Sequence, residues 1–311
     1  MRIHDARPVA GRLTLDGEGL ALVEHRSAVK DFYDEDEVRR VYYPEAERLV
    51  AEATGARRVL VFDHTIRRRV AGGIDRSPGT PRQPVTSVHN DYTVKSGPQR
   101  VRDLMGEEAE ELLRHRFEIV NVWRPIRGPL RDAPLAVCDA TSVAFTDFVP
   151  SDLVYRDRAG ETYRVRYNPA HRWFYVPEMR VDEAILIKCY DSARNKARFT
   201  AHSAVEDSTA PPDVLPRESI ELSLRRQSAQ PRAGLGRPRL GSIAAVGVAA
   251  PPLEGEAEML AERFDRVGVI DIRIGVRQAD DDRPEAPVVL PAWREHRGDQ
   301  RIAFVVAQGQ E

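Results

Sequence analysis

Cysteine is nearly absent from this chain. Two occur in 311 residues, Cys138 and Cys189, and neither belongs to a CxxC pair. One disulfide is the most they could form, so a disulfide-stapled secreted scaffold is excluded, and a zinc site built on thiolates has no ligand set. Long apolar runs are missing too. None approaches the about 18 residues that a membrane-spanning helix needs, so no membrane partner is expected. The opening stretch, MRIHDARPVAGRL, has no apolar segment of signal-peptide type, which leads us to expect a cytoplasmic protein. Charge of one sign is not in excess. Lys plus Arg number 47 against 49 Asp plus Glu, a net charge of −2, and this gives no electrostatic case for nucleic acid. With 41% apolar and 31% charged residues, what remains is a globular chain with a sizeable core.

The element pattern changes along the chain. Arg12–Leu15 and Leu20–Val23 alternate as strands do. Asp34-Glu35-Asp36-Glu37 places acidic residues where a helix begins, and that helix is expected to run past Pro44 to Gly55. Arg58–Phe62 reads as a buried strand. Residues 71–84, rich in Gly, Pro and Arg, read as a loop, and Val85–Asn90 as a strand. Gly97–Arg116 reads as one long amphipathic helix with Val101, Leu104, Met105, Leu112 and Leu113 on its apolar side. Strands follow with no helices between them: Phe117–Val122, Leu135–Asp139, Glu161–Tyr167, Arg172–Val176, Ala184–Tyr190, Ala197–Ala204 and Ser219–Leu224. That spacing indicates an antiparallel sandwich or barrel. The expected fold is α+β, a double-stranded β-helix (jelly roll) core flanked by helices. We place this domain at residues 1–226. Residues 227–311 form a Gly/Pro/Arg-rich linker and a C-terminal extension, with a helix-like run at Glu256–Arg266 and strand-like runs at Val267–Val276 and Ile302–Ala307.

The chemistry-bearing pattern is His89-Asn90-Asp91, a lone His202, and Arg217-Glu218-Ser219 fifteen residues further on. His89 is the only histidine followed two residues later by Asp. Residues i and i+2 of a strand share a face, so His89 and Asp91 can reach one metal. With His202 they make the two-imidazole, one-carboxylate set that holds non-haem Fe(II) on one face and leaves three positions open. Taken singly, each is equally at home in a solvated loop or as a hydrogen-bonded structural histidine. Arg217 strengthens the combination. 2-Oxoglutarate chelates iron through one carboxylate and its keto oxygen, and its far carboxylate then needs a buried partner. Arginine supplies two parallel hydrogen bonds, and Ser219, on the same strand face, a third. Fe(II), Asp91, the cosubstrate and Arg217 have formal charges that sum to zero. Asn121 and Trp123 share a strand face and are candidates to line a substrate pocket, together with Arg124, on the opposite face, and Tyr190. His64, Thr65 or Arg67 could contact an anion or substrate, or form a charged rim. Lys188 reads as a surface residue on the Tyr190 face.

Six blocks in order carry a family resemblance. They are Phe62-Asp63-His64-Thr65, Val88–Thr93, Asn121-Val122-Trp123-Arg124-Pro125, Lys188-Cys189-Tyr190-Asp191-Ser192, Ala197–His202 and Pro216–Glu221. Over residues 10–225 the chain resembles the Fe(II)/2-oxoglutarate-dependent secondary-metabolite hydroxylase/desaturase family, which includes AsaB-type enzymes, gibberellin desaturase and a cephamycin-pathway hydroxylase component. The resemblance implies iron held by His89, Asp91 and His202, 2-oxoglutarate held by Arg217 and Ser219, and oxidation of a small specialised metabolite, expected as hydroxylation or desaturation. It does not fix the reaction, because the family also makes endoperoxides. It departs after Leu222-Ser223-Leu224-Arg225-Arg226, where the family pattern closes and this chain continues. Two other classes fit the same residues. One is a non-catalytic metal-binding jelly-roll accessory protein of a biosynthetic pathway, and the other a zinc-type hydrolase that uses the metal face to activate water. Substrate identity and oligomeric state are not legible.

Overall fold

The computed structural model describes residues 1–73, 75, 81–154, 159–207, 210, 211, 213–231 and 269–273. Two sheets face each other. The smaller has five antiparallel strands in the order β2 (Leu20–Glu24), β10 (Glu183–Asp191), β5 (His115–Pro125), β13 (Glu218–Pro231) and β3 (Arg58–Arg68). The larger has nine, in the order β12 (Glu206–Asp207), β14 (Val269–Arg273), β1 (Arg2–Asp5), β9 (Trp173–Tyr175), β6 (Leu135–Cys138), β11 (His202–Ala204), β4 (His89–Asn90), β8 (Ala159–Val165) and β7 (Phe148–Val154). Among the described strands, β1 and β9 are the one pair that runs parallel. Trp123, Ile185 and Ile187 of the small sheet meet Leu135, Val137, Phe174 and Tyr163 of the large one in a shared core. This is the jelly roll expected from the strand spacing, with both sheets left open at their edges.

The other face of the small sheet is covered by one helix. Asp34 accepts a hydrogen bond from the Glu37 N–H at 3.0 Å and starts a helical segment. Pro44, which lacks an N–H, is preceded by a π-turn at Val38–Tyr42, and the α-helix proper, α1, spans Tyr43–Thr54. Gly55, at φ 64°, ends it. Val38, Tyr42, Ala46 and Val50 recur every four residues and are all 0% exposed. They pack on Val120, Val122, Leu186, Ile220, Leu222 and Leu224. Alternation along β5, β10 and β13 thus sends one set of side chains to the helix and the other into the space between the sheets.

Three expectations are corrected. Residues 12–15 are not a strand: a 3-10 turn occupies Arg7–Arg12 and a turn follows it. The helix expected at Gly97–Arg116 is two, α2 (Ser96–Met105) and α3 (Ala109–Leu113), because Gly106 takes φ 51° and breaks the run. Val85–Asn90 contributes only the two-residue β4. Beyond the Arg226 boundary, β13 continues to Pro231, and β14 falls inside the strand-like run 267–276 and pairs with β1. The runs at Glu256–Arg266 and Ile302–Ala307 lie outside the described residues.

Candidate active site

β4 lies between β11 and β8 in the large sheet, and His89 stands directly opposite His202 across the β4/β11 pair. Opposed residues of an antiparallel pair project on the same side, so the two rings come side by side, with centroids 4.5 Å apart. Asp91 follows one residue after β4. Its Oδ1 is 3.6 Å from His89 Nε2, and its Oδ2 is 3.8 Å from His202 Nε2. One donor atom from each of the three residues lies within 4.8 Å of the others.

The hydrogen bonds fix the tautomers. His89 Nδ1 meets the Ser87 carbonyl at 2.7 Å, and His202 Nδ1 meets the Thr200 carbonyl at 2.9 Å. A carbonyl only accepts, so each Nδ1 carries a proton, and this leaves Nε2 as the nitrogen of each ring that a metal takes. Burial, reinforced by the neighbouring His202, pushes the His89 ring down to about 4, so it is neutral at physiological pH. Burial would raise the Asp91 carboxyl. The two imidazoles and hydrogen bonds from Cys189 and Asn121 outweigh this and hold it below the ordinary carboxylate range. Two imidazoles with their Nε2 atoms turned inward and one carboxylate therefore converge, a donor set that suits Fe(II).

Asn90, between the two ligand candidates, points the opposite way and is fully buried. Its Nδ2 donates to the carbonyls of Tyr92 (2.7 Å) and Cys189 (2.9 Å), and its Oδ1 accepts from the Thr200 N–H at 3.0 Å. One side chain thereby ties the His89–Asp91 segment to the chain leading into His202.

Arg217 sits just before β13 and is 2% exposed. Its Nε donates to Ser219 Oγ at 3.0 Å and its Nη1 to the Ala133 carbonyl at 2.9 Å. The guanidinium lies 4.9 Å over the Trp123 ring. Burial, followed by the positive charge of Arg67, pushes Arg217 down to about 9, against the opposing charges of Glu221 and Asp132. Ser219 accepts from Nε and still has its own hydroxyl proton to donate. A buried guanidinium beside a hydroxyl fits the far carboxylate of a keto diacid.

The remaining expected residues separate. Trp123 borders the Arg217 side of the chamber. Asn121 reaches Asp91 directly, its Nδ2 donating to Oδ2 at 2.7 Å. Arg124 lies on the helix-covered face, over the Tyr42 ring and bonded to the carbonyls of His25 and Val181, and does not meet the triad. Tyr190 is packed in the core, stacked on Phe117 with centroids 5.1 Å apart. His64 bonds the Tyr43 hydroxyl on the outer face of the small sheet. Arg67 donates to the Gln83 carbonyl at 2.9 Å and lies close enough to His89 and Asp91 for its charge to act on both. Lys188 is no surface residue. It is 0% exposed and pairs with Asp16, Glu118 and Asp191 at 3.0, 3.1 and 2.7 Å. Those carboxylates form a second cluster of metal-ligand type, but Lys188, Arg116 and Arg226 already occupy it.

Sequence reasoning missed Cys189, whose thiol donates to Asp91 Oδ2 at 3.4 Å. It also missed Ser223, whose hydroxyl donates to Asn121 Oδ1 at 3.0 Å, and Glu221. Burial, then the charge of Asp91, push the Glu221 carboxyl up. Counting on by twos from Ser219 reaches Glu221 and Ser223, and would have found both.

Fold and donor set together are those of a non-haem oxygenase. A family model described as an oxidoreductase/YMDC permease-like domain matches residues 1–224. The chain is 36% identical over 241 residues to hydroxylase/desaturase efuI of Hormonema carpetanum, a match covering 70% of this chain and 80% of that one. It is 31% identical over 229 residues to the Fe(II)/2-oxoglutarate-dependent dioxygenase nvfI of Aspergillus novofumigatus, covering 71% and 81%. Among solved structures, the iron and alpha-ketoglutarate-dependent endoperoxidase NvfI matches with a TM-score of 0.69 at 29% identity, covering 74% of this chain and 86% of that one. The chain belongs to the Fe(II)/2-oxoglutarate-dependent hydroxylase/desaturase family.

Proposed function

We propose that His89, Asp91 and His202 hold Fe(II), that Arg217 and Ser219 bind 2-oxoglutarate, and that the enzyme hydroxylates or desaturates a small specialised metabolite. The observation that carries this reading is the convergence of two imidazoles that carry a proton on Nδ1 and turn Nε2 toward the Asp91 carboxylate, with the buried Arg217 close enough that its charge and that of Asp91 both act on Glu221. Iron bound there supplies oxygen activation at the expense of the keto acid. The protein's own side chains do the rest. The Ser87 and Thr200 carbonyls hold the imidazole protons on Nδ1. Arg217 and Ser219 orient the diacid. Trp123 backs the guanidinium and keeps water from its face. The two cysteines are free and buried, which suits the reducing cytoplasm we assign to the protein.

The test is succinate formation from 2-oxoglutarate, measured with Fe(II) and ascorbate in the absence of organic substrate. Slow succinate release that stops in Asp91→Ala supports the reading. Iron binding without any succinate would favour the non-catalytic accessory protein. Turnover with zinc and no keto acid would favour a hydrolase.

A further inference from the structure

The two oxygens of Asp91 are treated differently by the protein. Oδ2 accepts from Asn121 Nδ2 at 2.7 Å and from the Cys189 thiol at 3.4 Å. Each oxygen faces one imidazole, Oδ1 at 3.6 Å from His89 Nε2 and Oδ2 at 3.8 Å from His202 Nε2, but no hydrogen bond to Oδ1 is seen among the described residues. The Asn121 amide has only one workable orientation here. A carboxylate needs a donor, so Nδ2 must face Asp91, and the amide oxygen then faces Ser223, which donates to it at 3.0 Å. Ser223 stands directly opposite Asn121 across the β13/β5 pair, and both are buried, at 4% and 0% exposed. A hydroxyl on one strand thus sets an amide on the next, and the amide sets the carboxylate.

We infer that Asn121 is a positioning residue for the metal site, with Ser223 behind it and Cys189 beside it. The Ser223–Asn121 relay occupies Oδ2 of Asp91 and leaves Oδ1 as the single oxygen offered to iron. This rests on the assignment of Asp91 as a ligand, and it replaces the expectation that Asn121 binds substrate. The consequence is chemical. A carboxylate that gave both oxygens would take a position that the keto acid or dioxygen needs, and three open positions are what this donor set is for. The arrangement also explains why an amide and a hydroxyl are buried on this face of β5 and β13.

The test uses the full chain and metal alone. Fe(II) dissociation constants are measured anaerobically for wild type, Asn121→Leu, Ser223→Ala and Ser223→Thr. Ligand-field absorption of the Co(II)-loaded proteins is the second readout. Asn121→Leu should weaken Fe(II) binding about 10- to 100-fold and change the Co(II) band shape, because the carboxylate is then free to turn. Ser223→Ala should weaken binding about 2- to 10-fold, the scale of one neutral hydrogen bond, and Ser223→Thr, which keeps the hydroxyl, should restore it. Affinities within twofold of wild type in Asn121→Leu and Ser223→Ala overturn the inference. So does an unchanged Co(II) spectrum with a rise only in the KM of the organic substrate. Should Asn121→Leu fail to fold, the Ser223 pair decides, and equal affinities for Ala and Thr overturn it. A wild-type protein that binds no Fe(II) overturns the ligand assignment itself, a result distinct from all of these.

Discussion

Replacing Asn90 by alanine should cost the protein both stability and iron affinity. The side chain makes three buried hydrogen bonds, two donated to the carbonyls of Tyr92 and Cys189 and one accepted from the Thr200 N–H. Alanine leaves two buried carbonyls and one buried N–H short of a partner. At about 0.5–1.5 kcal/mol net for each bond, and more where the group left behind finds no water, the loss comes to about 3–5 kcal/mol. For a domain of this size that is a fall in Tm of roughly 10 °C. The effect should also reach the metal. Thr200 is held by Asn90, and its carbonyl holds His202 Nδ1 at 2.9 Å, so Fe(II) binding should weaken about 10- to 100-fold. Calorimetry of the metal-free protein and anaerobic Fe(II) titration read the two consequences separately. A variant that melts within about 2 °C of wild type and holds iron as tightly would refute the idea that Asn90 ties the two halves of the triad.

Arg217→Ala should weaken 2-oxoglutarate binding by at least about 2 kcal/mol, roughly 30-fold, because a buried charge pair loses one member. Iron affinity, read in the same titrations, should hold. An unchanged requirement for the keto acid would mean that another residue binds it. Lys188→Ala should cost about 3–5 kcal/mol in denaturant unfolding, since it strips a cation from the buried Glu118 and Asp191 carboxylates and from the half-exposed Asp16. A loss under about 1 kcal/mol would show that Arg116 and Arg226 suffice. For the metal-free protein, His89 has a folded pKa near 4 against 6.5 when unfolded. The unfolded chain therefore binds the proton more readily, and stability rises with pH across that window. The His89 contribution is fully present above about 6.5 and falls away as the pH drops toward 4, with Asp91, also held low, adding a loss of the same sign below it. The urea midpoint should be lower at pH 5 than at pH 7.5, and a flat profile would contradict the assignment of a neutral His89.

Much of the site was legible because it is local in sequence or periodic along one strand. His89 and Asp91 are two residues apart, and so are Arg217 and Ser219, and in each case a shared side of the chain follows from that spacing. The antiparallel core followed from strand spacing alone. What stayed hidden depends on irregularities of the backbone. A register shift between Lys188 and Tyr190 in β10 breaks the alternation that placed both on one face. Lys188 is instead buried among three carboxylates, while Cys189 is brought to Asp91. The role of Asn121 was hidden for another reason. Alternation put it inside correctly, but its partners come from β13 and from beyond β4, and pairing across strands is not written in any one of them. Gly106 was readable as a helix stop and was passed over in a run that otherwise kept helical periodicity.

The central claim is that one iron ion is held by His89, Asp91 and His202. An anomalous difference map collected at the iron edge, from crystals grown anaerobically with Fe(II), tests it directly. A single peak is expected in bonding contact with Nε2 of both histidines and with Oδ1 of Asp91. A peak at the Asp16, Glu118 and Asp191 cluster, or no peak between the two imidazoles, would contradict it.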